Sequence, residues 1–498
     1  MGPARTRLRA AFAAGCLAVT VGVCLHLPML WMARGMGFRL VGMATDGAMI
    51  AGMALIVAGI ALAAYGLLPD RAADAVAIAA HVPDDAPLSA AHWRLMAALI
   101  VALVIDVMKP ASLGFTLPGM EAEYGLPKHV VALLPFSALT GTVLGSMLWG
   151  ALADRYGRRS TIMLSAVMFV GTSICGAMPS FSWNLAMCLL MGLAAGGMLP
   201  VTYALLAEMM PARHRGWSMV LVGGLGAAGG YAAASLISAL AQPLLGWRVL
   251  WLANLPTGLL LISLGPLIPE SARFLAAHGR LHEAGGVLAR FGAVLAPVAE
   301  APPPTKTVNR TWLFAALTLI ALAWGWANFG VLLWLPADLV ARGLPVAEAS
   351  ALLARSAVIA VPTTGIAALL YYRWGARPTL TLAIAVMLTG MALLVIQTRA
   401  AASPVLSVAV LLVGVNAIIA VILPYTAETF ALAVRGRATG WIAACTKAGG
   451  LGAQALGLAS LVLGAITATW VLVIPTVLAL GLLLVSSRAD ARMAKETS

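Results

Sequence analysis

Gly150-Ala151-Leu152-Ala153-Asp154-Arg155-Tyr156-Gly157-Arg158-Arg159 joins two apolar runs, 130–152 and 160–178. A run of about 20 apolar residues is the length a helix needs to cross the hydrocarbon core of a bilayer. The joining stretch is short, bracketed by glycine, and carries three arginines among its last five residues. Basic residues collect in short cytoplasmic loops, so this stretch marks the inner side of a helical hairpin.

The same alternation extends in both directions. Fourteen runs qualify as spans: two early ones near 10–32 and 44–68, and twelve more between 94 and 486. Apolar residues make up 62% of the 498-residue chain and charged residues only 10%. A soluble domain carries about 25% charged residues, and a disordered chain is far less apolar. The formal charge of +13 does not describe a nucleic-acid surface, because the basic residues sit in short clusters between apolar runs. With the N-terminus placed in the cytoplasm, twenty-two of the 31 basic residues fall on the inner side, six on the outer side and three within spans. Both termini are therefore expected in the cytoplasm. The five cysteines, Cys16, Cys24, Cys175, Cys188 and Cys445, lie in apolar runs with no metal-binding spacing and read as small core residues.

The twelve later spans divide around a polar stretch, Glu270–Arg310. After the second span of the second half, Tyr371-Tyr372-Arg373-Trp374-Gly375-Ala376-Arg377 answers the quoted stretch, and Glu428 answers Glu208. Arg155 to Arg373 is 218 residues and Glu208 to Glu428 is 220. Two landmarks with nearly one offset indicate a six-plus-six repeat, the layout of carriers whose site lies between halves at the bilayer midplane. The expected segments are 1–90, an extension with two spans; 91–268, the first half; 269–310, a cytoplasmic central loop; 311–487, the second half; and 488–498, a cytoplasmic tail.

The quoted stretch resembles the loop signature of the major facilitator superfamily. Glu208-x-x-Pro211-x-x-x-Arg215-Gly216 and Pro269-Glu270-Ser271-Ala272-Arg273-Phe274-Leu275 are similar to signatures of its sugar-porter and metabolite:proton symporter branches. The resemblance covers roughly 91–487 and implies an all-α membrane fold, twelve helices in two halves, with the two extra N-terminal spans unmatched. It further implies that Gly150, Asp154, Arg155, Gly157, Arg158, Arg159, Glu208, Arg215, Glu270 and Arg273 form an inner gate that latches the halves. The bland reading of the arginines is that they only enforce topology. Three positions depart from the pattern: Tyr372 replaces an expected Asp, Ala376 an expected Arg, and Cys188 an Arg often tied to proton coupling.

Four ionisable residues lie inside spans, where a charge is costly and commonly faces a water-filled pathway or a partner. Asp106 is ~18 Å beyond Arg94 along its helix, Arg355 ~9 Å from the outer face and Lys447 ~14 Å from the inner face, at 1.5 Å per residue. Lys109 shares the face of Asp106. The pair either forms a local ion pair or leaves Asp106 free to carry a proton, tuned by Lys109. Arg355 and Lys447 either snorkel or bond backbone, or else bind an anion. Three cations against one Asp favour an anionic substrate. Trp324 and Trp326 at mid-span read either as core packing or, with Asn328, as cavity lining, and Tyr203, Asn416 and Gln454 are weaker candidates for polar groups of the cavity.

No nucleotide loop, metal cluster or nucleophile constellation is present in the sequence, so neither a cofactor nor an enzymatic role is expected. The expected function is secondary active transport in a bacterial inner membrane, a proton-coupled uptake of a small organic anion, a carboxylate, by a monomer. The partners are that substrate, protons and the lipid bilayer, without nucleic acid. The alternative is a proton-driven antiporter exporting an amphipathic anion or drug, and a third reading is a transporter-like receptor.

Overall fold

The computed structural model describes residues 3–68, 78–81, 86–292, 294–297, 311–399, 403–430, 432–459 and 471–485. The expected tail 488–498 and residues 298–310 of the central loop lie outside the described residues. Among the described residues, twelve helices are long and apolar enough to cross a membrane. They are α1 (Thr6–Met36), α2 (Gly47–Leu67), α3 (Ala90–Tyr124), α4 (Lys128–Tyr156), α5 (Arg158–Ala177), α6 (Phe181–Met209), α7 (Ala212–Leu245) and α8 (Val249–Leu267). Two short helices of the central loop, α9 (Ala272–Ala277) and α10 (Leu281–Arg290), follow. The second half holds α11 (Thr311–Ala341), α12 (Val346–Trp374), α13 (Ala376–Gln397) and α14 (Val405–Thr429). It closes with α15 (Leu432–Leu458) and the shorter α16 (Val471–Val485). Together they match the fourteen runs of the sequence.

Glycines set the closest helix contacts, as expected where van der Waals packing replaces a hydrophobic driving force. In α7, Gly226 and Gly230 receive Leu103 and Val107 of α3. The equivalent pair of the second half, α11 and α15, uses Gly325 and Gly449 against the backbone oxygens of Thr446 and Leu322. The repeat therefore extends from loop motifs to helix packing.

The N-terminal extension is a helical hairpin that packs into the bundle. Gly52, Gly59 and Gly66 recur every seven residues along α2, two turns apart on one face, and meet Gly22, Val19 and Phe12 of α1. The Asp46 carboxylate caps α2, accepting from Met49 N at 2.8 Å. Val19 and Ile56 share an apolar cluster with Val167 and Val170 of α5.

The loop between α1 and α2 is fastened by an ion pair that the sequence did not reveal. Arg248 and Glu123 meet at 2.6 Å, both nearly inaccessible to solvent. Arg248 also donates to the carbonyls of Phe38, Gly176 and Met178 at 3.0–3.1 Å. Glu123 accepts from Leu40 N and Trp247 Nε1, each at 2.8 Å. Every strong group of the pair is satisfied, and the extension supplies part of the satisfaction. Removing one partner of such a pair costs about 3–5 kcal/mol, because the other charge is left buried. Glu123→Ala is accordingly expected to lower the melting temperature of the purified carrier markedly; an unchanged melting curve would show that the pair holds nothing together.

One departure from an all-helical chain is a two-stranded ribbon. β1 (Ile78–His81), in the link after the extension, pairs antiparallel with β2 (Val294–Pro297) of the central loop. The strands are too short, and too far apart in sequence, to show as an alternating pattern.

Candidate functional site

Between the halves lies a cavity of about 420 Å3 lined by α3, α4, α6 and α7 of the first half and α11, α14 and α15 of the second. Its wall is mostly apolar and aromatic, including Phe115, Tyr203, Tyr231, Trp324 and Phe329, with Asp106 and Lys447 facing it from opposite halves.

Four buried polar atoms on this wall have no hydrogen-bond partner: Asp106 Oδ1, Tyr203 Oη, Tyr231 Oη and Asn416 Nδ2. Buried polar atoms are nearly always paired, so such a cluster marks a place where something else supplies the partners. Lys447 makes no ion pair or hydrogen bond among the described residues. Asp106 and Lys447 thus place opposite formal charges on facing walls of one cavity.

Local structure explains how each group arrives. A Cβ at position 223 would fall on the Tyr203 hydroxyl, so Gly223 makes the room that lets Tyr203 reach the cavity. Asn328 and Phe329 sit in a π-helical turn, Ala327–Leu332, whose closing bond runs from Leu333 N to Asn328 O at 3.1 Å. Such turns disturb the helical face and recur at functional sites. Trp324 is fixed by donating Nε1 to Val415 O at 2.8 Å.

Several sequence expectations are corrected. Lys109 does not pair with Asp106 or line the cavity. Its Nζ donates to Phe169 O at 2.8 Å and to Thr172 Oγ1, above the Phe169 ring. The α-helical part of α5 ends there, leaving carbonyls without an intrahelical donor, and the long side chain reaches them. Arg355 stays out of the cavity, exposed on the face of α12 that carries Val358 and Ile359, 51% and 52% exposed. That exposed apolar face suits lipid, where a long charged side chain can snorkel to the interface. Trp326 also points away from the cavity, packed beside Gly330. Gln454 is structural, accepting from Trp334 Nε1 and donating to Phe329 O. Tyr231 was not anticipated; an aromatic in a glycine-rich helix carries no signal of what it faces.

At the end of the bundle bearing the quoted motif, Arg158 bridges Asp154 at 3.2 Å and Glu208 at 3.1 Å. Glu270 Oε1 accepts from the backbone N–H groups of Arg158, Ser271 and Arg159 at 2.7–3.2 Å. Burial raises the Glu270 carboxyl above the usual range, and the N–H groups of Ser271, Arg159 and Arg158 draw it back. Gly157 adopts φ +100, and a Cβ there would meet the Glu270 carboxylate, which explains the glycine. Arg155 is exposed beside Tyr156, Arg273 is exposed, and Gly150 has open space around it. Arg215 donates to Met210 O at 3.4 Å. These bonds knit the first half to the central loop. Among the described residues a hydrogen bond crosses the halves at this end from Arg213 Nη2 to Tyr372 Oη at 3.3 Å, using the tyrosine that departs from the motif.

At the opposite end the halves touch. Ser238 Oγ and Ser350 Oγ lie 2.8 Å apart, and Gly114 of α3 packs on the Leu333 carbonyl.

Residues 95–454 match the model of the Major Facilitator Superfamily. The chain belongs to this superfamily. As a superfamily member it is a membrane transporter and not an enzyme. It is 26% identical over 312 residues to a niacin transporter of Acinetobacter baylyi, covering 60% of this chain and 71% of the relative. It is 33% identical over 250 residues to a 4-hydroxybenzoate transporter of Pseudomonas aeruginosa, covering 46% and 52%. A gallate transporter of Pseudomonas putida matches at 28% over 289 residues, covering 54% and 63%. The chain thus spans about half to seven-tenths of these curated relatives. Among solved structures, the partially occluded inward-open xylose transporter of E. coli superposes with a TM-score of 0.61 at 17% identity, covering 79% of this chain and 97% of that one. The human organic anion transporter MFSD10 gives 0.57 at 17%, covering 79% and 99%. Both show the superfamily fold.

Proposed function

We propose that the protein takes up a small organic acid together with a proton, by alternating access across a bacterial inner membrane with both termini in the cytoplasm. The observation that carries this reading is the set of unpartnered groups in the cavity between the halves. Lys447 binds the carboxylate as a charge-assisted pair. The apolar and aromatic wall takes the body of the molecule, with Trp324 and Asn328 on one side. Tyr203, Tyr231 and Asn416 hydrogen-bond its remaining polar atoms. Asp106 carries the proton.

The compounds named for the three bacterial relatives, niacin, 4-hydroxybenzoate and gallate, are each an acid on one aromatic ring, which supports an aromatic monocarboxylate of that size. The contacts Ser238–Ser350 and Gly114–Leu333 lie at the outer end in the proposed sidedness, which supports an inward-facing state. The basic residues concentrated at the opposite end support that sidedness.

The test is accumulation of labelled benzoate, nicotinate and 4-hydroxybenzoate in proteoliposomes. An inside-alkaline gradient is expected to concentrate at least one of them above its equilibrium level, and a protonophore to abolish the effect. Accumulation only under the reversed gradient would assign the protein to proton-driven export instead.

A further inference from the structure

We propose that the N-terminal extension builds the outer mouth of the substrate path. In this proposal a vestibule walled by the α1–α2 loop gathers organic anions at Arg39, and a Gln242–Ser238–Ser350 gate closes it from the central cavity. The proposal rests on the transport reading and sidedness above.

A second cavity, of about 260 Å3, lies at that end. Its wall comes from three parts of the chain: Phe38 and Arg39 of the extension, Glu123 and Gln242 of the first half, and Val346 at the start of α12 in the second. A cleft bounded by both halves must change shape when they rock, which a pocket within one half need not do.

Gln242, on its wall, belongs to a contact between the halves. Ser238 Oγ donates to Gln242 Oε1 at 2.5 Å and lies 2.8 Å from Ser350 Oγ across the interface. Gln242 Nε2 donates to Phe115 O at 3.3 Å. Phe115 lines the central cavity, with its ring 5.7 Å from that of Tyr231. One side chain, Gln242, thus has the vestibule on one side and the central cavity's wall on the other. These three polar side chains are bonded to one another where the two halves meet, and such bonds can be exchanged for water when the halves part.

The loop is held in place. Phe38 O and Leu40 N are bound by the buried Arg248–Glu123 pair, which fixes the backbone on both sides of Arg39. That pair neutralises itself, so the exposed guanidinium of Arg39 sets the sign of the vestibule. A positive mouth raises the local concentration of anions and speeds their capture, and salt screens the effect over about 10 Å at 0.1 M.

The test uses the full chain in proteoliposomes oriented with this end outward. Arg39→Glu is expected to raise KM for anion uptake about threefold or more at low ionic strength with kcat unchanged. The difference should vanish in high salt, and Arg39→Lys should behave as the parent. A KM indifferent to both substitution and salt overturns the vestibule. Ser238→Cys with Ser350→Cys is expected to lose transport on oxidation and regain it on reduction, while each single variant, carrying the native cysteines, does not respond. Undiminished transport by the crosslinked protein overturns the gate. Failure of the unmodified protein to move any organic anion would instead refute the transport reading.

Discussion

Asp106→Asn is expected to abolish net uptake while leaving exchange of labelled for unlabelled substrate nearly intact. The argument is one of charge. Asp106 and Lys447 face one cavity from opposite halves with opposite formal charges. In the proposed scheme, an ionised Asp106 offsets Lys447 in the empty carrier. In the loaded carrier the substrate carboxylate balances Lys447 and the proton balances Asp106. In both forms the charges facing the cavity cancel, so both are expected to reorient. With Asn at 106 the loaded form is still neutral, but the empty form carries an uncompensated lysine. A buried charge left without its partner costs about 3–5 kcal/mol. Each 1.4 kcal/mol is tenfold in rate, so net uptake is expected to fall by roughly a hundredfold or more. Counterflow needs only the loaded form and should persist. Net uptake by Asp106→Asn that still follows an imposed pH gradient would remove Asp106 from the proton path.

How far the sequence foretold this site depends on what each residue needed in order to be read. Repeats, spans and the Gly157–Arg159 turn are local patterns, and the bundle follows them. Asp106 and Lys447 were found from their depth along a helix. Depth is one coordinate, however, and a side chain's direction around the helix is another. Arg355 lies at a suitable depth yet points to the lipid side. Lys109, one helical turn from Asp106, reaches sideways to the Phe169 carbonyl. In a helix that is apolar all round, the hydrophobic pattern no longer says which face looks inward. Tyr231 and the Glu123–Arg248 pair were missed for a related reason, since their partners lie on helices far away in the sequence. The extension was legible as two helices but not as a wall, because its role depends on where one loop meets the bundle.

Lys447→Gln is expected to remove the preference for a carboxylate while sparing the shape of the cavity. A hydrogen bond to a charged group contributes about 1.5–3 kcal/mol, so affinity for whichever aromatic acid the parent binds, 4-hydroxybenzoate being the first to try under the proposed function, should fall about tenfold to a hundredfold. Its uncharged amide should bind the variant about as well as it binds the parent. Thermal-shift titration of the purified carrier with both compounds reads the difference directly. Equal losses for acid and amide would mean a damaged cavity rather than a missing charge. The single substitution also strips Asp106 of its partner, so the empty variant should be less stable than the parent. Adding Asp106→Asn removes the opposing charge as well, and removing both of two opposite charges that face one cavity is expected to be less harmful than removing one. The double variant is therefore expected to be more stable than Lys447→Gln alone, with a coupling of about 1–3 kcal/mol between the sites. It should bind the amide, ignore the acid's charge, and show no dependence on a pH gradient. Strict additivity would mean that the two residues do not share one electrostatic site, and the electroneutral scheme would fall with it.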